Sequence, residues 1–371
     1  MSPATTALND LHTELGARLV DFAGWELPVS FAGVIPEHLH TRESASLFDV
    51  SHMGQVLLRA DSGDLGDAAT ALERLTPASV LGLKPWRQRY GLFTDPAGGV
   101  LDDFMFSHHG EHLYLVVNAA RTEHDLALLR TLAGVSVEHV TDRALLALQG
   151  PRAEEALAAL VPEVAELVFM DSRILPWRDV ELWISRSGYT GEDGFEISVP
   201  NAWAEPLARA LLAMDQVAPA GLGARDSLRL EAGMPLYGHD LTPEITPAQA
   251  GLGWAIPKVR RRGGSREGGF PGAEVILPEL EAGPSRLRMG LRPEGRAVLR
   301  EGTPIFAGPD ATQPVATITS GGFGPTVGGP IAMAMLPGAP SPGEVLQAEV
   351  RGRRVPVTVT EPPFVPHSYK R

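Results

Sequence analysis

The pattern of the chain changes once, across Val259–Pro271, a stretch rich in Gly and Arg that closes on a proline. Beyond it, Leu287–Leu291, Ala297–Leu299, Val315–Thr319, Ile331–Leu336 and Val345–Val359 are short apolar runs separated by Gly/Pro turns. Helical periodicity is nearly absent there. Closely spaced strands with turn punctuation indicate an all-β unit, a small barrel that closes its own edges. Before the change, strands and helices are mixed. Pro36–Phe48 (PEHLHTRESASLF) reads as a helix entered through an early Pro, whose missing N–H does no harm there. It leads into Asp49–Leu58, which is β-like at its end. Tyr90–Phe93, the PAGG turn Pro96–Gly99 and Val100–Ser107 read as a hairpin, followed by a strand at His112–Val117 and a helix over Ala119–Leu132. Ala144–Leu148 reads as a strand, Gly150-Pro151 as a break and Ala153–Leu160 as a helix. Alternation of Val180, Leu182 and Ile184 gives a strand with one buried face. A Gly-rich bend at Gly188–Gly194, a strand at Phe195–Val199 and helices at Ala202–Met214 and Ala224–Ala232 complete this part.

That order predicts an α+β body, not a regular parallel α/β sheet. The expected division is residues 1–270 for the body and 280–371 for the C-terminal all-β barrel, with Val259–Pro271 as the linker. A chain of 371 residues fits two or three domains at roughly 100–200 residues each.

Composition serves mainly to exclude. With no cysteine, disulfides, thiolate nucleophiles, cysteine zinc sites and iron–sulfur ligation are removed from consideration. With 32 Lys and Arg against 45 Asp and Glu, the net charge is −13, and such a chain makes a poor general nucleic-acid binder. Met1–Asp10 lacks a basic region followed by an apolar run, and no stretch approaches the roughly 18 apolar residues of a membrane-spanning helix. The expectation is a soluble, cytoplasmic protein with neither nucleic acid nor membrane as partner. One basic patch stands out, Lys258, Arg260, Arg261, Arg262 and Arg266. It reads first as a mobile, solvated loop, and alternatively as a docking surface for an acidic partner.

No Ser or His stands in a nucleophile motif. His38 and His40, two apart, point to different faces of a helix, and no His pair has metal-ligand spacing, so no metal is expected. No dinucleotide-type glycine fingerprint follows a strand, which argues against a flavin domain; Gly321–Gly329 reads as turns. Three segments remain. In Leu101-Asp102-Asp103, adjacent strand residues face opposite sides, so one aspartate should face solvent or cap the turn while the other lines an inner face. The alternative is that both are surface acids. In Ser187–Ser198 (SGYTGEDGFEIS), Glu196 is a lone carboxylate between Phe195 and Ile197. It is either outward-facing or matched to a heterocycle edge with adjacent N–H and NH₂ donors. Tyr189 either stacks on such a ring or packs as core. In Gly221–Asp240, Arg225, Arg229 and Asp226 form either a structural ion-pair network or, through Arg225, an anion site.

Taken in order, FAGWELPV (Phe22–Val29), SLFDVSHMG (Ser46–Gly54), GGVLDD (Gly98–Asp103), LVVNAA (Leu115–Ala120), LALQGP (Leu146–Pro151), GYTGEDGFEISVP (Gly188–Pro200), ARDSLRLEAGMPLYGHD (Ala224–Asp240) and PFVP (Pro363–Pro366) resemble the glycine cleavage T-proteins from near one end to the other. The resemblance implies a folate-binding aminomethyltransferase fold, with three domains in a cloverleaf around a central opening. It implies transfer of a one-carbon unit from the aminomethyl-lipoyl arm of H-protein to tetrahydrofolate, with release of ammonia. By the same resemblance Asp103 is the catalytic carboxylate, Glu196 grips the pterin edge and Arg225 is the substrate-site arginine. Met53, Tyr90, Asn118, Phe169, Tyr189 and Tyr369 are further pocket positions. Where the family can carry a tyrosine, this chain has Phe169, which leaves a packing wall without the hydroxyl. Lys258, Arg260, Arg261 and Arg262 would face H-protein. A folate-dependent demethylase of a small methylated substrate is the alternative. Oxidases that share the folate unit carry an added flavin domain, and the related iron–sulfur assembly factor has a signature cysteine that this chain lacks.

Overall fold

The computed structural model describes residues 2–338 and 340–371, so Met1 and Ala339, one in each expected division, lie outside the described residues. Two large sheets form most of the body, beside a small three-stranded sheet of Ala4–Thr5, Trp25–Ser30 and Arg18–Phe22. A five-stranded sheet runs in the order Gln88–Thr94, Val100–His108, Leu113–Val117, Gly54–Ala60, Val135–Val140. A six-stranded sheet runs Ser172–Trp177, Val180–Ser185, Gly194–Pro200, Arg143–Gln149, Ala45–Asp49, Val217–Pro219. The chain then closes a six-stranded antiparallel barrel from Arg286–Pro293, Gly329–Pro337, Ala316–Gly324, Pro304–Phe306, Val345–Val350 and Arg353–Thr360. The α+β body and the all-β barrel are therefore both present.

Each large sheet is covered twice, which is why its strands are so apolar. Val56, Leu58, Phe104, Phe106, Leu113 and Leu115 face a core closed by Leu126 and Leu129 of the helix Thr122–Leu129. Phe195, Ile197, Leu146 and Leu148 face a second core against Leu207 and Leu211 of the helix Asn201–Leu212. The opposite faces meet each other: Leu57, Tyr114 and Val116 of one sheet pack with Phe48, Leu145 and Ala147 of the other. A strand buried on both faces loses its period-two signature. This explains one departure from expectation. The helix expected over Pro36–Phe48 spans Val34–Glu43 and ends there, and Ala45–Asp49 is a strand buried at every position.

Two further expectations change. Ala297–Leu299 is not a strand; the remaining barrel strand is Pro304–Phe306. The Val259–Pro271 segment is not a free linker. It leads into a helix, Ala273–Ala282, whose internal Pro278 breaks the sequence pattern of helix formation. That helix enters through Gly272 at φ 78°, where an added Cβ would lie 2.5 Å from the carbonyl oxygen of Asp95. It covers the PAGG turn, and the turn is held from the other side by Leu241–Ile245. Gly99 has no room for a side chain, because a Cβ would lie 1.7 Å from the carbonyl oxygen of Pro243. Leu92, Val100, Leu241, Ile245, Leu252 and Met335 then form one cluster that ties the hairpin to the barrel.

Candidate active site

The hairpin fixes the first part of the site. Leu92 lies opposite Asp103 and Tyr90 opposite Met105, so Tyr90 and Asp103 are diagonal neighbours on one face. The Tyr90 hydroxyl donates to Oδ2 of Asp103 at 2.9 Å. Asn118, immediately after the Leu113–Val117 strand, donates its side-chain amide to Oδ1 of Asp103 at 2.8 Å. Burial pushes Asp103 up to about 7, against the pull of these two donors. A carboxyl poised there exchanges a proton readily at neutral pH.

Asp102 does not behave as expected. It neither faces solvent nor caps the turn. It shares the face of Phe104 and Phe106 and is fully buried. The turn is capped by Asp95, whose carboxylate accepts from the Gly99 N–H at 2.9 Å. The two aspartates do diverge, as the two-residue repeat requires, but both sides of this sheet are interior.

The six-stranded sheet supplies the second part. Glu196 points away from Phe195 and Ile197, toward the face it shares with its cross-strand neighbour Ala147. Its carboxylate accepts from Ser187 Oγ at 3.1 Å. Burial raises its pKa, while Arg225 and Ser187 oppose that shift. Arg225 stands on the helix Leu222–Glu231 with its guanidinium 5.0 Å from the centroid of the Tyr189 ring. Its Nη1 is buried without a hydrogen-bond partner. A buried guanidinium nitrogen with nothing to donate to is costly, and it marks a place for an acceptor. The ion-pair network expected in this helix does form, but around Arg229, which binds Asp226, Asp240 and Ser320 and leaves Arg225 out.

Tyr189 joins the two parts. Its hydroxyl donates to the Pro235 carbonyl and lies within electrostatic reach of both Asp103 and Arg225. Burial raises the pKa of both Tyr90 and Tyr189, so both stay protonated donors. Arg288, from the first barrel strand, lies within the same field and anchors to the Gly233 carbonyl at 2.8 Å. The group is therefore assembled where both sheets and the barrel meet. Tyr90, Asp103, Asn118, Tyr189, Glu196 and Arg225 come together there. Met53 packs beside them on the core between the sheets.

Phe169 and Tyr369 stand apart from this hydrogen-bonded group. They stack on each other with centroids 4.0 Å apart and planes 4° from parallel. The C-terminal tail is held there by Ser368 N–H to the Gly191 carbonyl and by Phe169 N–H to the Lys370 carbonyl. Phe169 is thus a wall covered by the tail, and a hydroxyl is not needed for that. Glu192, the other acid of its motif, pairs with Arg42 at 2.8 Å and belongs to the fold.

The basic segment is also corrected. Arg260 is buried and pairs with Glu73 at 3.0 Å, and Arg266 reaches the same carboxylate. Arg261 donates to the carbonyls of Ile256 and Gly253, and Arg262 pairs with Glu281. Buried ion pairs hold this segment down, so it is no solvated loop. Lys258 remains exposed, close in sequence to Trp254, which is 66% exposed and whose ring centroid lies 5.4 Å from that of Tyr90. Several residues around the site went unmarked in the sequence: Trp254, Ser187, His52, Arg121, Tyr237 and Asp125. Only Asp125 carried a signal, because it sits four residues before Leu129 on the apolar face of its helix. Among the described residues no group of three or more His, Asp or Glu is placed to hold a metal ion.

Residues 8–260 match the family model described as the GCVT N-terminal domain, and residues 286–366 that of the glycine cleavage T-protein C-terminal barrel domain. The mitochondrial aminomethyltransferase of Homo sapiens is 42% identical over 377 residues, spanning 98% of this chain and 90% of that protein. The aminomethyltransferase of Synechococcus elongatus is 40% identical over 374 residues, spanning 98% and 96%. The crystal structure of glycine cleavage system aminomethyltransferase T from Bartonella henselae superposes with a TM-score of 0.91 at 39% identity over 100% of both chains.

Proposed function

The chain belongs to the glycine cleavage T-protein family, the aminomethyltransferases, and from that premise we propose that its substrates meet at the Asp103 group. The acceptor is tetrahydrofolate and the donor is the aminomethyl-lipoyl arm of H-protein. The observation that carries this reading is the pairing of unlike binding groups across the junction. On one side is Asp103, held by Tyr90 and Asn118; on the other are Glu196, with one side-chain donor, and Arg225, with an unpartnered nitrogen.

These groups fit a reduced pterin. Glu196 presents acceptor oxygens suited to adjacent ring N–H and amino donors. Tyr189 offers a flat face, and Arg225 a donor for a carbonyl or carboxylate oxygen. When bound, tetrahydrofolate supplies the nitrogens that take up the one-carbon unit. Asp103 stabilises positive charge developing on the donor carbon as ammonia leaves, and it accepts or orients a proton from a folate nitrogen. Tyr90 and Asn118 fix the carboxyl so that it needs no reorganisation. Much of the acceleration then comes from holding two substrates side by side.

The test is a direct comparison of donors. Aminomethyl-loaded H-protein with tetrahydrofolate should give rapid ammonia release, and free methylated sulfur compounds should undergo no demethylation. Demethylation of a small compound at a higher rate than transfer from H-protein would replace this reading with the demethylase. For docking, exposed Lys258 with Arg262 and Trp254 at the rim is the proposed contact for acidic H-protein. Charge reversal at Lys258 and Arg262 together should raise the KM for H-protein about tenfold at low salt, an effect that 0.5 M salt erases. A KM unchanged by that reversal sends the docking surface elsewhere.

A further inference from the structure

Behind Asp103 runs a line of buried polar groups that leads away from the site. The Asn118 side-chain amide donates one hydrogen to Asp103 Oδ1 and the other to Asp102 Oδ1, each at 2.8 Å. The Asn118 backbone N–H also reaches Asp102, at 3.3 Å. Asp102 in turn meets the carboxyl of Asp125 in a side-chain hydrogen bond. Asp125 lies on the helix Thr122–Leu129 beside the core residues Leu126 and Leu129. Its Oδ1 contacts His124 Nδ1 at 3.0 Å, and His124 is 39% exposed. Its Oδ2 is buried and has no donor from any other residue's N–H or hydroxyl.

Two features of this line need explaining. Asp102 and Asp125 both have no exposed surface, and no arginine or lysine forms an ion pair with either among the described residues. Two touching carboxylates in an apolar core cannot both be charged, so one proton stays between them. Asp125 has an oxygen free to take that proton. A carboxylate with an unfilled acceptor site next to an acid accepts that acid's hydrogen. Arg121, near enough to favour a charge on Asp125, makes Asp125 the ionised member.

We propose that Asp125 is a positioning residue for the active site: it accepts the carboxyl proton of Asp102, and the neutral acid so formed holds the Asn118 amide against Asp103 without placing a second negative charge there. This rests on the assignment of Asp103 as the reacting carboxyl, but the protonation of Asp102 is a property of the substrate-free protein. The direction of the shifts agrees. Burial, then the hydrogen bond and the charge of Asp125, push Asp102 up to about 9. Of two adjoining acids, the one with the higher pKa keeps its proton while the other titrates. At neutral pH Asp102 therefore presents Asp103 with a dipole, not a charge. The other titratable and charged groups facing the pair are Arg121 and His124 on its own helix, Tyr237 from the loop that packs over Arg121, and Asp103 itself.

The experiment is a carboxyl carbon NMR titration of aspartate-labelled full-length protein without substrates. One aspartate should remain protonated at pH 8 and ionise only above it, and its signal should vanish in Asp102→Asn. In Asp125→Asn the same signal should titrate at least about one pH unit lower, because its proton has lost the neighbouring charge and faces only a neutral, weaker acceptor. The midpoint of Asp103 should stay within about half a unit in Asp102→Asn, which replaces one neutral hydrogen-bonding group by another. A wild-type spectrum in which every aspartate is ionised by pH 8 overturns the proposal, and it requires no variant to fold. So does a fall of a unit or more in the Asp103 midpoint in Asp102→Asn, which would mean that Asp102 had carried charge. Neither result depends on whether tetrahydrofolate or another acceptor binds, so failure of the functional reading is read separately from the donor assay.

Discussion

Asp103→Asn is expected to slow one-carbon transfer by about 10²–10⁴-fold while leaving the protein folded and able to bind its acceptor. The substitution keeps the shape of the side chain. Its remaining oxygen still accepts from Asn118 or Tyr90, and its new amide can donate to the Tyr90 hydroxyl, so the local hydrogen bonds survive in changed form. What is lost is the charge and the proton. An amide neither neutralises a developing cation nor takes up a proton, whereas the carboxyl does both around pH 7. The pH dependence follows with a definite sign. Because the pKa of Asp103 is raised, its carboxylate is the minor form below about 7, and transfer that needs the carboxylate should fall on the acid side of that value. Single-turnover transfer measured between pH 5.5 and 8.5 checks both points. The wild type should show the acid limb and the variant should be slow and flat across it. Transfer near the wild-type rate, or an unchanged limb in the variant, would remove Asp103 from the role assigned to it.

Much of this site was legible because strand geometry is strict. The hairpin around the PAGG turn, and the divergence of two adjacent aspartates, follow from the two-residue repeat alone. Asp102 shows where that reasoning stops. One sequence tells which residues share a face, but not whether the opposite face meets water or another sheet. Here the helix Thr122–Leu129 closes over it, and an acid that looked like surface became core. Ala45–Asp49 failed for the same reason, since burial on both faces leaves no period to read. Arg260 illustrates a third limit. Five basic residues near one another look solvated until a single carboxylate from far along the chain, Glu73, is seen to hold two of them. Long-range partners of this kind leave no mark in local spacing. The assembly of Asp103 with Glu196 and Arg225 is equally non-local, and it came only from the resemblance of an ordered set of motifs, not from any one of them.

Glu196→Gln should separate binding from chemistry. A glutamine fits the same space and still accepts one hydrogen bond, from Ser187 or from the ligand. Its amide group, however, would turn a donor toward the ring donors that a carboxylate can receive on both oxygens. Hydrogen bonds to a charged group contribute about 1.5–3 kcal/mol, so affinity for the reduced folate should fall roughly 10- to 100-fold. The Asp103 group, on the other sheet, is untouched, and kcat at saturating folate should stay within a few-fold of wild type. Stability should move the other way. Burial raises the pKa of Glu196, which means that the folded protein holds its charge at a cost only partly offset by Arg225 and Ser187. Replacing that carboxylate by a neutral amide should leave the Tm of the substrate-free protein unchanged or higher. The increase in Tm on adding folate, which reflects binding to the native state alone, should shrink with the affinity. A lower Tm for the free variant, together with an undiminished folate-induced increase, would place Glu196 in the framework of the sheet and leave Arg225 and Tyr189 to hold the ring.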